Sequence, residues 1–167
     1  MDIITSLLER THTPEGEIAF RMLLAVILGA LIGYERETKN RPAGLRTHML
    51  IALAAAIVAI VTLELGAIAE RSGNHSDPGR ALEAVTAGVA FLAAGTIIQA
   101  RGQVMGITTG AGMWLAGAIG VASGFGMVAI AVMGSVLAVM VLAGLQSLTR
   151  KINPQTDDGT VISDAKK

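Results

Sequence analysis

Apolar residues along this chain fall into five long runs, and polar residues gather almost entirely between them. Ile18 to Tyr34 is broken only by Arg21, and Met49 to Leu63 is followed by Glu64 and more apolar residues. Later runs cover Leu82 to Ala100, Gly106 to Ser123 and Phe125 to Leu148. Each is close to the roughly 20 helical residues that cross a ~30 Å hydrocarbon core. The pattern predicts an all-α integral membrane protein, a bundle of about five spans at 18–36, 48–69, 82–100, 106–123 and 125–148. An N-terminal extracytoplasmic segment, 1–17, precedes this 18–148 transmembrane domain, and a polar cytoplasmic tail, 149–167, follows it. The connections are a polar loop at Glu35 to Thr47, a second at Glu70 to Arg80, the turn Arg101-Gly102-Gln103, and almost nothing around Gly124. Short connections make consecutive helices antiparallel neighbours. The last two runs are alternatively one re-entrant pair, but about 40 apolar residues between them favour two crossings at ~20 each.

Composition agrees, with 52% apolar residues, 16% charged, twenty glycines and few aromatics. Formal net charge is zero, so no bulk field and no basic stripe with interleaved aromatics points to nucleic acid. No cysteine is present, which excludes disulfides and thiolate metal sites. Met1 to Arg10 lacks the basic and long apolar regions of a signal peptide and reads as a short amphipathic interfacial segment. An odd number of spans puts the first loop, third loop and tail on one side. That side holds Arg36, Lys39, Arg41, Arg46, Arg101, Arg150, Lys151, Lys166 and Lys167, against Arg10, Arg21, Arg71 and Arg80 opposite. The nine-to-four bias places the first group in the cytoplasm and the N-terminus outside.

Glycine spacing forecasts the packing. Gly29 and Gly33 sit four apart on the first run; Gly106 and Gly110 lead into the fourth, and Gly120 continues on it toward Gly124, with Gly95 near the end of the third. Small residues on one helix face let backbones approach closely in lipid, so the fourth span is expected to be central. The same faces make a homo-oligomer an expected assembly.

Two polar sets carry the candidate chemistry. Glu35, Arg36, Arg46, Thr47, His48, Thr108 and Thr109, with Gln99 nearby, are expected to converge as a polar lid at the cytoplasmic ends of the first four spans. Glu35 is expected to take paired hydrogen bonds from the forked guanidinium of Arg36 or Arg46. His48 either titrates near neutral pH or donates to a helix carbonyl. The competing structural reading ties helix ends together at the interface, where arginines commonly snorkel. An outer set comprises Arg21, Glu64, Asp77, Arg80 and Glu83. Glu64 lies ~24 Å along the second span at about 1.5 Å per residue, near the outer interface, where pairing with Arg21 would lower its cost. Asp77-Pro78 has the form of a helix cap. Magnesium wants several oxygens in octahedral geometry, and single carboxylates scattered over two faces do not make such a site; no metal or cofactor is expected. No nucleophile–base pair, phosphate loop or metal-spaced cluster appears, so no enzymatic activity is expected.

In order along the chain, Gly29-Ala30-Leu31-Ile32-Gly33-Tyr34-Glu35-Arg36, Ala43-Gly44-Leu45-Arg46-Thr47-His48, Asp77-Pro78-Gly79-Arg80, Gly95-Thr96-Ile97-Ile98, and Gly106-Ile107-Thr108-Thr109 with Trp114 resemble the successive signatures of the MgtC/SapB membrane protein family. The resemblance runs from about residue 20 to 148. It implies a multi-pass bacterial inner-membrane protein of magnesium homeostasis or stress adaptation, from a family associated with virulence. It also implies a regulator acting through contacts with membrane-protein partners, with a cation channel or transporter as the alternative and a scaffold as a third reading. Three features depart from the family pattern. The chain stops after Lys167, where many members continue into a soluble domain; Met105 stands where a basic residue is usual; and Ala93 stands where glycine is common.

Overall fold

The computed structural model describes residues 11–74, 77–100 and 103–152. Arg10 and the rest of the expected amphipathic segment, Arg101 and Gly102 of the third connection, and the tail beyond Ile152 lie outside the described residues. Five helices are present among the described residues: α1 (Glu15–Thr38), α2 (Leu45–Arg71), α3 (Pro78–Ala94), α4 (Ile107–Gly124) and α5 (Val128–Ile152). By length and composition α1 and α2 are apolar enough to cross a membrane, and the described apolar part of α5, Val128–Gly144, is shorter.

Local chemistry sets the helix ends. Pro14 precedes α1 and its carbonyl accepts from Glu17 and Ile18, while Glu15 and Glu17 place carboxylates at the positive end of the helix dipole. The helix closes at Asn40, a left-handed residue at φ +51°, where Arg41 N–H donates to Arg36 O at 3.1 Å. Six residues then turn the chain, and Glu37 Oε2 accepts the Leu45 N–H at 2.9 Å, capping the start of α2. Asp77 Oδ1 accepts from Gly79 N–H at 2.9 Å with Pro78 in the first turn of α3, the capping role its sequence context predicts.

The third apolar run departs from the expected single helix over 82–100. Helix α3 stops at Ala94; Thr96 Oγ1 bonds back to Ala93 O at 2.7 Å, and the β-branched Thr96-Ile97-Ile98 stretch leads into a small hairpin. Strand β1 (Ile98–Ala100) pairs antiparallel with β2 (Gln103–Met105), joining Ile98 to Met105 and Gln99 to Val104. Gly106, at φ +88°, turns the chain from β2 into α4 and lies directly on the Thr96 carbonyl, so only glycine fits there.

Helix α4 is the axis of the molecule. Twelve of its eighteen residues are buried, against two of seventeen in α3, and it touches all four other helices. Small residues permit this. A Cβ on Gly124 would stand 2.5 Å from Ala56 O, one on Gly117 would stand 2.9 Å from Val89, and one on Gly120 would overlap the Ala52 carbonyl. Likewise Gly29 and Gly33 bring α1 onto α2, each leaving 2.7 Å for a Cβ, against His48 O and Leu45 Cα. Gly110 lies on the Ala93 carbonyl, whereas Gly95 sits past the end of α3 and meets only its own last turn. The outward faces are aliphatic, with Phe20, Leu23, Ile27, Leu65, Ile68 and Phe91 exposed, the inverse of a water-soluble surface.

Gly120→Ala should therefore lower the thermal midpoint in detergent clearly, since forcing a methyl into the α2 backbone costs about 1–3 kcal/mol. Gly88→Ala, where nothing lies within 4 Å, should raise it slightly through helix propensity, worth about 1 kcal/mol. Circular dichroism melts of the two variants beside the parent check the contrast.

Candidate functional site: a buried polar cluster at one end of the bundle

The close approach of α1, α2 and α4 encloses four polar side chains. Glu35 is 7% exposed, Arg36 and Thr109 are each 3% exposed, and His48 is fully buried. Glu35 and Arg36 come from the last turn of α1, His48 from the first turn of α2, and Thr109 from the first turn of α4. Arg36 Nη2 donates to Thr109 Oγ1 at 2.8 Å, tying the two helix ends together. Glu35 Oε1 pairs with Lys39 Nζ at 2.6 Å, one turn on along the same chain. The expected pairing of Glu35 with Arg36 or Arg46 is not what the structure has. Adjacent positions on a helix diverge by about 100°, whereas i,i+4 neighbours share a face, so lysine wins the carboxylate.

His48 Nδ1 lies 2.8 Å from Gly44 O. A carbonyl only accepts, so Nδ1 carries a proton, and in the neutral form of the ring Nε2 is then the bare nitrogen. Nε2 faces Gly112 of α4, where a Cβ would stand 3.2 Å away. Four atoms of the cluster, Glu35 Oε1 and Oε2, Arg36 Nε and His48 Nε2, are buried without a protein hydrogen-bond partner, Oε1 having only its ion pair. Buried polar atoms are ordinarily partnered, and each such exception marks a functional or strained position. Chemically the cluster offers a carboxylate and an imidazole lone pair. No group of three His, Cys, Asp or Glu gathers among the described residues.

The remaining lid residues stand apart. Arg46, Thr108 and Gln99 are exposed and Thr47 is half-buried. Lys39, Glu37 and Gly112 were not foreseen in these roles. The i,i+4 spacing of Glu35 and Lys39 is the one signal that points to any of them.

At the opposite end the outer set does not converge either. Arg21 pairs with Glu17 and donates from Nη1 to Gly124 O at 3.0 Å, placing a cation on the C-terminal end of α4. Glu64 is not paired with Arg21. Its carboxylate accepts the His12 and Thr13 N–H groups at 2.5 and 2.9 Å, and Arg71 Nη2 lies 3.2 Å from His12 Nδ1. Unsatisfied amides ahead of a helix are the stronger draw once Arg21 finds a carbonyl and an i−4 carboxylate of its own. Arg80 and Glu83 are exposed on α3 and pair with no other described residue.

A profile described as the MgtC family matches residues 22–151. The chain is 37% identical over 139 residues to "Putative magnesium transporter YhiD" of Escherichia coli K12, which covers 82% of this chain and 64% of that protein. It is 33% identical over 148 residues to "Protein SrpB" of Synechococcus elongatus, covering 82% of this chain and 81% of that one. Against "Protein MgtC" of Salmonella typhimurium LT2 it is 33% identical over 132 residues, 79% of this chain and 54% of the relative. The chain thus spans under two thirds of the length of the YhiD and MgtC relatives. No solved structure matches.

Removing the Thr109 hydroxyl isolates the cost of the cluster. Thr109→Val leaves a buried guanidinium short of a partner and should destabilise the fold by about 1.5–3 kcal/mol. Arg46→Ala, at an exposed position, should stay within about 0.5 kcal/mol of the parent. Equilibrium unfolding in mixed micelles of both variants checks the difference.

Proposed function

This chain belongs to the MgtC family, and on that footing we propose that it is a multi-pass inner-membrane protein of magnesium or ion homeostasis that works as a non-enzymatic regulator, through contacts with membrane-protein partners. In this reading all five helices span the bilayer, with the N-terminus outside and the tail in the cytoplasm. The distribution of lysine and arginine and the aliphatic outward faces support it. Magnesium enters through the name carried by the YhiD relative.

The observation that carries the regulator reading is the closed packing between the two polar ends. Between Glu35, Arg36 and His48 at one end and Arg21 and Glu64 at the other, α2 and α4 meet backbone to backbone at Ala52 with Gly120 and at Ala56 with Gly124. The buried side chains there are mostly apolar, Ala25, Leu28, Ile32, Ala52 and Ala56 among them, and the two buried hydroxyls, Ser123 and Ser135, each donate to a helix carbonyl. An ion crossing through one chain would meet no continuous line of oxygens, and a hydrated cation does not enter such a seam. Partner binding, by contrast, suits a bundle that leaves one helix half-covered: α3 presents Ala84, Ala87 and Gly88 outward, and small faces of this kind seat neighbouring helices.

A cation conduit is the second reading, favoured by the buried Glu35 carboxylate and by the YhiD name. It would require a path along the axis of a homo-oligomer.

Magnesium and monovalent-cation flux into proteoliposomes separates the two. The expected result is no flux above empty vesicles from a protein shown to be inserted, together with photo-crosslinks from Gly88 to a distinct membrane protein in native membranes. Flux that disappears in a folded Glu35→Gln variant would overturn the regulator reading.

A further inference from the structure

The hairpin between α3 and α4 has a composition that is wrong for an aqueous turn. Ile98 is 61% exposed and Met105 62%, paired across the ladder on one face; Val104 on the other face and Ile97 and Ile107 flanking the strands are exposed as well. Phe91 and Leu92, on the last turn of α3 a few residues ahead of β1, are exposed as well.

Helix length says where this surface lies. The seventeen residues of α3 measure about 25 Å and the eighteen of α4 about 27 Å at 1.5 Å per residue. Both fall short of a hydrocarbon core ~30 Å thick. Both short helices end on the hairpin, so the apolar residues that would complete each crossing are the hairpin's own. Backbone pairing limits how deep it goes. A two-stranded ladder leaves the outer edge of each strand unpaired, which hydrocarbon does not tolerate and the headgroup layer does.

Charge fixes the same level. Gly110 against Ala93 and the Arg36–Thr109 bond put the hairpin at the end of the bundle that carries the 39–44 turn. There Arg41 and Arg46 are exposed and form no ion pair with a described residue. Exposed cations beside an apolar wedge match anionic phospholipid headgroups lying over acyl chains.

We propose that the β1–β2 hairpin is a lipid-binding element that lies in the cytoplasmic headgroup layer, with Ile98 and Met105 dipped into the upper acyl chains and Arg41 and Arg46 against lipid phosphates. The proposal rests on the reading of the chain as membrane-spanning. It makes the third connection a bilayer contact instead of a free loop, and leaves the Glu35–His48 cluster beneath a lipid-covered edge.

The chain has one tryptophan, Trp114, half-exposed near the middle of α4, and this makes the test direct. The parent and two reporters, Ile98→Trp and Met105→Trp, each in a Trp114→Phe background, are reconstituted in vesicles of phosphatidylcholine and phosphatidylglycerol. The lipids carry bromine either high or deep on the acyl chains. Trp114 should be quenched best by deep bromine. The hairpin reporters should be quenched several-fold better by shallow bromine than by deep and be shielded from aqueous iodide. Hairpin reporters quenched by iodide and untouched by bromine, with Trp114 still quenched, would overturn the hairpin proposal alone. A Trp114 untouched by bromine would instead overturn the spanning reading beneath it. Each reporter is read only where its helicity and elution match the parent, and either one suffices.

Discussion

The structure depends on how closely α4 can approach α1 and α2. Burying apolar side chains against one another gains little where the solvent is itself hydrocarbon, so cohesion has to come from van der Waals contact at short range. Glycine at 29, 33, 120 and 124 permits it, by leaving no room for a Cβ between one helix and the backbone of the next. The core that results is thin and made of small residues: Ala25, Ala52 and Ala56 between α1 and α2, and Ala116 and Ala122 on α4. Leu28, Ile32, Met113 and Ile119 are buried among them, while most of the larger side chains point outward.

That tightness generates the polar cluster. Once Gly29 packs on His48 O and Gly112 faces His48 Nε2, the first turn of α2 has nowhere to send an imidazole except inward. Arg36 is trapped by the same geometry and finds Thr109. Half-satisfied polar groups in a dry interior are costly, and breaking one member of such a network costs more than forming it gained. Nature does not need this to join three helix ends, because glycine contacts already do so. The cluster is thus a poor stability device, which is the physical ground for treating it as a working part. Its position at the mouth of the α1–α2–α4 junction also makes its state sensitive to small shifts of α4.

Helix number, order and central α4 were legible in the sequence because apolar run length and glycine spacing are direct consequences of the solvent. The role of Asp77 was legible for the same kind of reason, since a cap is a local event. Pairing was not. Glu35 chose Lys39 over the adjacent Arg36 and the more distant Arg46, and Glu64 chose two backbone amides over Arg21; both outcomes depend on which face a turn presents once the helices are docked. Thr108 looks equivalent to Thr109 in one dimension, yet one residue of offset, about 100° around α4, puts the first outside and the second inside, and on α2 the exposed Arg46 is likewise two residues from the buried His48. The hairpin was hidden by its own composition. Ile97 and Ile98 extend an apolar run that hydropathy alone cannot distinguish from helix, and only the turn at Gly95 and Thr96 breaks it.

The two polar ends answer to different constraints. At the Arg21–Glu64 end both charges are spent on backbone groups, a carbonyl at the end of α4 and two amides ahead of α1, and little chemistry is left over. At the Glu35–His48 end the termini are already served by Glu37 and by Asn40 in its left-handed turn, and the charges of Glu35 and Arg36 are surplus to that task. A charge that caps nothing and is nevertheless buried has to be explained by something outside the helix it sits on. In a molecule whose seam between the ends is sealed by backbone contact, that explanation lies in what meets the Glu35–His48 end, and the surfaces at that end are the cationic 39–44 turn and the apolar hairpin.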